Sequence, residues 1–329
     1  MSRAALRTLV AAAAAATLTL STLGGLADTA RAEPPSLEQA VADAMLSANA
    51  EEALVTYDVP DRAALDPLVE PKRRSSAGDW VFGGSVFPVP DSAHASPVTS
   101  LFFAELEGDA WSVALDGSPE FARAAREAPA ELFVDEGERE SLAARPKGVE
   151  VDGQATGLAL PWQLNQGNWR HWGVHGNSGT SRPYNSIDFY GGDGRVRASE
   201  AGYVYRYCGT ANPYIEVRHD SGWTTGYYHT RNQTTVPDGS KINAYDFIGI
   251  IAEELPCGGR ANGDHVHWTL WRDGSAVAVN GKDIGGWTWY EQPAAYQGWA
   301  ERGGNRVYNS GCCLANHGPE AGTRDPTTP

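Results

Sequence analysis

Positive charge is scarce in this 329-residue sequence: 26 Lys and Arg stand against 41 Asp and Glu, for a net charge of −15. Phosphate backbones are held by clustered Lys and Arg, and no basic stripe occurs here, which argues against nucleic acid as a partner. Cysteine is rare as well. The four present, Cys208, Cys257, Cys312 and Cys313, all lie in the second half and fit no C-x-x-C metal spacing. Beyond the N-terminal region no stretch approaches about 18 consecutive apolar residues, so no membrane span is expected there. Several catalytic signatures are also missing. There is no H-E-x-x-H to supply a thermolysin-like carboxylate base, no G-x-S-x-G serine elbow, and no cysteine setting that suggests a thiol nucleophile.

What is present begins with an address. Arg3 and Arg7 precede an Ala-rich apolar run over residues 9–23, and Ala30-Arg31-Ala32 follows it. This order predicts a signal peptide over 1–32 and an exported protein, with no membrane attachment once it is removed. A membrane anchor is the alternative, but the run is short and interrupted by Thr and Ser. In an oxidising exterior the cysteines read as disulfides, with Cys208 paired to Cys257. Cys312 and Cys313 are then a vicinal disulfide, an intermolecular link or free thiols. A monomer is the default expectation.

Charge and aromatics divide the remainder. Residues 1–154 carry 12 basic and 25 acidic side chains and residues 155–329 carry 14 and 16, while nine of the eleven Trp lie in the second part. Helical spacing over 33–61 (Leu37, Val41, Ala44, Met45) predicts one or two short helices. Strand patterns follow at Trp80-Val81-Phe82, Ser100-Leu101-Phe102-Phe103-Ala104 and Ala110-Trp111-Ser112-Val113-Ala114-Leu115, then a helical pattern over 121–128. This front unit has His94 and no other histidine, and nothing in it looks catalytic. Residues 136–157 read as an exposed, protease-accessible linker holding a maturation cut. The segment 33–154 is therefore expected to be a small α+β pro-domain with its linker, matured by a separate protease. Residues 155–317 alternate short strand signals with Gly, Asn and Asp turns, which predicts an antiparallel, sandwich-like β domain with an open groove. The tail 318–329 reads as disordered.

The sharpest chemical feature is His265-Val266-His267 inside a strand pattern, because residues two apart on a strand project from one face. Alone it is equally compatible with paired surface histidines. His175 in a Gly-rich turn, Asp188 after Asn185-Ser186-Ile187, and His229 after Tyr227-Tyr228 add the ligand types that leave Zn²⁺ an open fourth position. Zinc lowers the pKa of a bound water toward about 7 and polarises a carbonyl.

These three motifs, His175 with Asp188, Gly226-Tyr227-Tyr228-His229, and His265-Val266-His267, resemble the lysostaphin-like zinc peptidases. The long His-to-Asp interval, Trp169 and Asn177-Ser178-Gly179 resemble most the β-lytic metalloendopeptidase and staphylolysin branch. The resemblance covers residues 158–313. It implies that His175, Asp188 and His267 hold Zn²⁺, that His229 and His265 are catalytic, and that Cys208 pairs with Cys257. It also implies an oxyanion or substrate role for Tyr296, for which a packed aromatic is the alternative. The second cysteine of the branch's C-terminal disulfide matches Cys313, but Ala300 stands at the position of the first. His219 matches a structural strand-end histidine, and His171 and His317 read as surface or turn residues.

The implied activity is hydrolysis of peptide bonds, glycine-containing ones among them, in bacterial peptidoglycan. Two other classes compete: a catalytically inactive peptidoglycan-binding or hydrolase-activating module, and a glycosidase. The glycosidase needs two opposed carboxylates, and the sequence offers no convincing pair.

Overall fold

The computed structural model describes residues 35–144, 154–209 and 211–319. The segment read as a signal peptide, residues 145–153 of the expected linker and nearly all of the tail lie outside the described residues. Among the described residues no helix is long and apolar enough to cross a membrane.

The front half consists of helix α1 (Leu37–Tyr57), strands β1 (Leu68–Arg74), β2 (Trp80–Phe87), β3 (Val98–Glu107) and β4 (Ala110–Leu115), and helices α2 (Pro119–Glu127) and α3 (Glu136–Ala143). Where the spacing predicts one or two short helices, α1 runs unbroken for 21 residues. The Ser36 hydroxyl caps its start by accepting from the Gln39 N–H at 3.2 Å. Leu37, Val41 and Met45, four residues apart, are all buried on one face.

The four strands form an antiparallel meander, β1-β2-β3-β4. Their period of two gives the sheet two apolar faces. Val81, Phe102 and Ala104 share a core with α1. Phe82, Leu101 and Phe103 share a different one with Phe121 and Leu142 of α2 and α3, and with Tyr203, Tyr205 and Tyr214 from the second half of the chain. The expected linker therefore starts later than residue 136. Its first part is α3, capped by Asp135, whose carboxylate accepts from the Glu138 N–H at 2.8 Å. Glu138 is itself fully buried, accepting both guanidinium arms of Arg73 at 2.5 Å and the Tyr205 hydroxyl at 3.0 Å. The density of charge in this segment reflects a satisfied buried network rather than solvation.

The second half has strands β5 (Trp169–His175), β6 (Ser186–Gly191), β7 (Arg195–Arg197), β8 (Gly202–Tyr207), β9 (Tyr214–His219), β10 (Trp223–Tyr228), β11 (Thr230–Arg231), β12 (Lys241–Ile242), β13 (Phe247–Ile251) and β14 (Val266–Arg272). They are followed by β15 (Ser275–Ala276), β16 (Asp283–Ile284), β17 (Trp287–Tyr290), β18 (Trp299–Arg302) and β19 (Asn305–Tyr308). The main sheet runs β12-β8-β9-β10-β14-β6-β5, with β15 beside β14, and its pairings are antiparallel. Two smaller sheets, β11-β13-β7 and β16-β17-β18-β19, bury Val196, Ile248, Trp289 and Val307 in the same core as Ile187, Val217, Trp268 and Leu270 of the main sheet. The mostly β, antiparallel architecture agrees with the sequence expectation.

Directly opposed residues on antiparallel strands share a face. His267 opposes Asp188 on β6 and Tyr228 on β10, Gly226 opposes Glu216 on β9, and Glu216 opposes Tyr205 on β8. One face of the main sheet is thus the dry core, and the other carries a His/Asp cluster that continues into a row of Tyr and Glu. The front half covers that polar and aromatic row. Lys72 pairs with Asp238 at 2.6 Å, Asp116 with Arg218 at 2.7 Å, and Phe82 meets the Tyr205 ring edge-on at 6.1 Å.

Cys208 and Cys257, 49 positions apart in sequence, are bonded with an S–S distance of 1.99 Å. Cys312 and Cys313 pair with each other, one of the alternatives the sequence leaves open. Closing the longer loop stabilises by about 4 kcal/mol in the chain-entropy model. Replacing Cys208 and Cys257 together by Ser is expected to lower the denaturation midpoint accordingly. Peptide mapping without reduction checks the pairing, and a bridge from either residue to Cys312 or Cys313 would contradict it.

Candidate metal centre

Strand β5 reaches the centre through an irregularity. Its register against β6 shifts between His171 and Val174, and Gly173 inside the bulge has φ 99°. Only glycine suits that position, since a β-carbon there would run into the Tyr296 backbone. The bulge is fixed by His171, which is fully buried, contrary to the surface or turn position expected for it. Its Nε2 lies 3.1 Å from Val307 O and its Nδ1 accepts from the Gly173 N–H at 3.1 Å. Burial pushes this imidazole down to about 4, so it stays neutral and can both donate and accept.

His175 follows at the end of β5, Asp188 lies on β6 and His267 on β14. Asp188 Oδ1 lies 2.9 Å from His267 Nδ1 and 3.4 Å from His175 Nε2, and those two nitrogens are 3.3 Å apart. A tetrahedral zinc with ligand bonds of about 2.0–2.1 Å has ligand-to-ligand edges of about 3.3 Å. The three side chains fit that edge length and donor set, and all are buried. Burial alone would raise the Asp188 carboxyl, but His175, His265 and His267 around it hold it well below the usual carboxylate range.

Two more imidazoles stand beside the triangle. His265 Nδ1 is 2.8 Å from Gly263 O and His229 Nδ1 is 3.0 Å from Glu254 O, while His175 Nδ1 is 3.2 Å from Gly173 O. A carbonyl only accepts, so each of these Nδ1 atoms carries a proton and donates it, which leaves Nε2 as the ring atom free to act at the cleft. The rings of His229 and His265 are 4.8 Å apart, and His265 Nε2 is 3.7 Å from Asp188 Oδ1. Burial and the neighbouring His265 and His267 push His229 well below its usual value, keeping it neutral. Burial likewise lowers His267, against the pull of Asp188. Tyr296 stacks on His175 with ring centroids 4.3 Å apart, and burial raises its hydroxyl above the ordinary range.

The expected ligand set and both further histidines thus converge at one cleft, and Tyr296 lines it with them. His219 is buried at its strand end, its Nε2 2.7 Å from Thr225 Oγ1, in the structural position expected. Six lining residues escape the sequence analysis of the site: Trp172, whose ring sits 4.8 Å from His265, together with His94, Arg260, Asn262, Asn309 and Ser310. His94 brings a side chain of the front half to the cleft. Only the neighbourhood of Trp172 to the His175 motif offered a sequence signal for any of them.

Comparison with known proteins agrees with this geometry. The profile of Peptidase family M23 matches residues 182–279, which contain Asp188, His229, His265 and His267. The β-lytic metalloendopeptidase of Lysobacter enzymogenes is 30% identical over 131 residues, covering 36% of this chain and 72% of that protein. The chain belongs to peptidase family M23. Protease LasA of Pseudomonas aeruginosa is 31% identical over 136 residues, 39% of the M23 chain described here and 32% of LasA. The match therefore spans about a third of LasA, and also of the β-lytic metalloendopeptidase of Achromobacter lyticus, which is 31% identical over 133 residues (36% of this chain, 34% of that protein). Among solved structures, the M23 metalloprotease pseudoalterin aligns with 28% identity and a TM-score of 0.42, over 46% of this chain and 94% of its own.

The M23 chain should bind one metal ion through three side chains. Ala at His175, Asp188 or His267 is expected to abolish stoichiometric binding, while Ala at His229 or His265 retains it. Metal analysis of the dialysed proteins checks this, and full metal content in any of the first three would sink the assignment.

Proposed function

We propose that this chain is the precursor of an exported zinc endopeptidase that cuts glycine-containing peptide bonds in bacterial peptidoglycan. The observation that carries the reading is the triangle of His175 Nε2, Asp188 Oδ1 and His267 Nδ1 with two further imidazoles, His229 and His265, beside it. The kinship with β-lytic metalloendopeptidases supports it. Zinc held by His175, Asp188 and His267 would supply Lewis acidity toward a peptide carbonyl and an acidified water.

The chain's own residues do the rest. His229, kept neutral by burial, presents an Nε2 lone pair that can take a proton from the attacking water, and His265 beside it can pass a proton to the leaving amine. The C–N bond breaks, the water's oxygen stays on the carbonyl carbon, and the proton ends on nitrogen. Tyr296, kept protonated by burial, can donate to the oxyanion that develops. Trp172 and Tyr296 narrow the cleft, which suits a backbone with small side chains.

The front half acts in this reading as a pro-segment. The loop joining β2 to β3 carries His94 into the cleft, and the β1–β4 sheet covers the Tyr and Glu row beside it. The intact chain is expected to release few amino termini from purified cell walls. The same protein cut within residues 145–153 should release many, and no reducing ends. In the cut protein, Ala at His229 or His265 should lower turnover by about 10²–10⁴. Zinc binding without any new amino termini would favour a binding module instead.

Release of the front half should depend on pH. Glu216 is buried between the two halves, its Oε1 2.6 Å from Thr99 Oγ1, with Tyr207, Tyr214 and Asp116 around it. Burial pushes its carboxyl up to about 7, with Asp116 adding to the rise against the hydrogen bonds from Thr99 and the tyrosines. Covering this group thus takes up a proton. The association is strongest below its ordinary value of 4.5, and weakens as pH rises toward about 7. For one such group the weakening is at most about 300-fold. Retention of the front fragment on the cut protein from pH 4.5 to 8 measures this, and Glu216→Gln should flatten the profile.

A further inference from the structure

The β2–β3 connection, residues 88–97, is closed at its neck by Tyr57, whose hydroxyl donates to Phe87 O at 2.8 Å and accepts from the Val98 N–H at 2.7 Å. Between those points the loop crosses the metal cleft and is held from the peptidase side chiefly by its main chain. The Val89 N–H donates to Cys257 O at 2.7 Å, and Val89 bridges Gly258 in parallel β fashion. Arg260 Nε donates to Asp91 O at 2.8 Å. Asn177 Nδ2 donates to Ser96 O at 3.1 Å, with the Ser96 hydroxyl returning a bond to Asn177 Oδ1.

Close approach is built into the receiving side. Gly258 and Gly259 both have φ +87°, and a β-carbon on Gly258 would run into the Val89 carbonyl. One on Gly259 would lie 2.9 Å from Val89 Cγ1 and 3.1 Å from Ala93 O. The glycine pair is itself fixed: the Tyr228 hydroxyl donates to Gly258 O at 2.7 Å and accepts from the Cys257 N–H at 3.1 Å, and Cys257 is tied to Cys208. Thus the cradle is held by the strand residue next to His229 and by the disulfide.

A main-chain N–H and two main-chain carbonyls are what every peptide offers, so nothing in these three contacts is particular to the loop that occupies them. We propose that Cys257 O, Arg260 and Asn177 form a main-chain subsite for the peptide substrate, which the 88–97 loop fills as a stand-in until it is displaced. The ligand class is a peptide strand with small side chains, glycine above all, where it passes Gly258 and Gly259. Arg260 is the residue that sets affinity, because its contact is charge-assisted and the other two are neutral. The inference rests on the peptidase reading above.

The test uses the full chain with the loop opened from its own side, by Val89→Pro, which removes the N–H donor, or by Ser96→Trp, whose bulk cannot fit where the fully buried Ser96 hydroxyl meets Asn177. Pentaglycine is titrated by NMR with zinc chelated, so that binding is read without cleavage. Either opened protein should bind at least tenfold more tightly than the unmodified chain, with the amides of residues 257–260 shifting. Adding Arg260→Ala should weaken binding by about 10- to 100-fold, the usual loss for one charged hydrogen bond. No binding to either opened protein, unmoved 257–260 amides, or an unchanged affinity after Arg260→Ala overturns the subsite. The zinc-loaded proteins separate the two readings: binding that responds to Arg260 without hydrolysis keeps the subsite and rejects the peptidase, and hydrolysis with KM unmoved by Arg260→Ala does the reverse.

Discussion

The pairing of β6 with β14 is the constraint on which the rest of this structure depends. It sets His267 directly opposite Asp188 and Trp268 opposite Ile187. Because side chains alternate along a strand, a slip of one residue would turn the histidine into the apolar core and the tryptophan into the cleft. Ile187, Phe189, Val266, Trp268 and Leu270 are all fully buried on the core side, which makes any such slip very unfavourable. The apolar pattern thus specifies the polar one: the core holds the register, and the register brings the ligand atoms within 3.4 Å of one another.

That face would be expensive to leave as it is. His175, His229, His265 and His267 are all buried, and burial lowers the basicity of His229 and His267. The lone pairs of His229 and His267 are therefore kept, rather than being lost to protons, and Nδ1 contacts to backbone carbonyls orient the rings of His175, His229 and His265. The front half belongs to the same design. It shares a core with Tyr205 and Tyr214, and it brings a compensating charge to Asp238 and to Arg218.

Much of this was legible in the sequence, and the reasons are specific. Strand periodicity places His265 and His267 on one face, and the run of short β signals separated by turns predicts the antiparallel second half. The histidines and Asp188 stand out because such residues are uncommon in apolar strand contexts. His171 did not stand out, since its role comes from a bulge that no pattern announces and from Val307, which is 136 residues away. The α3 segment was mistaken for linker because its charges are satisfied by Arg73 and Tyr205, partners distant in sequence. His94 and Arg260 reach the cleft only through the way the two halves meet, and composition says nothing about that.

If the front half is a pro-segment that leaves, as proposed above, the row of tyrosines on β8 bears on the state that remains. Tyr203, Tyr205 and Tyr207 project to one side of the sheet and are buried beneath the front half together with Tyr214. A surface built from Phe or Ile would bind that cover at least as well, but on its departure would leave a large greasy patch prone to self-association. Tyrosine packs as an aromatic while covered and presents a hydroxyl to water when bare. The same strand can therefore serve as an interior in one stage and as a wettable exterior in the next, so that solubility is conserved through a change in which a whole flank of the molecule is exposed.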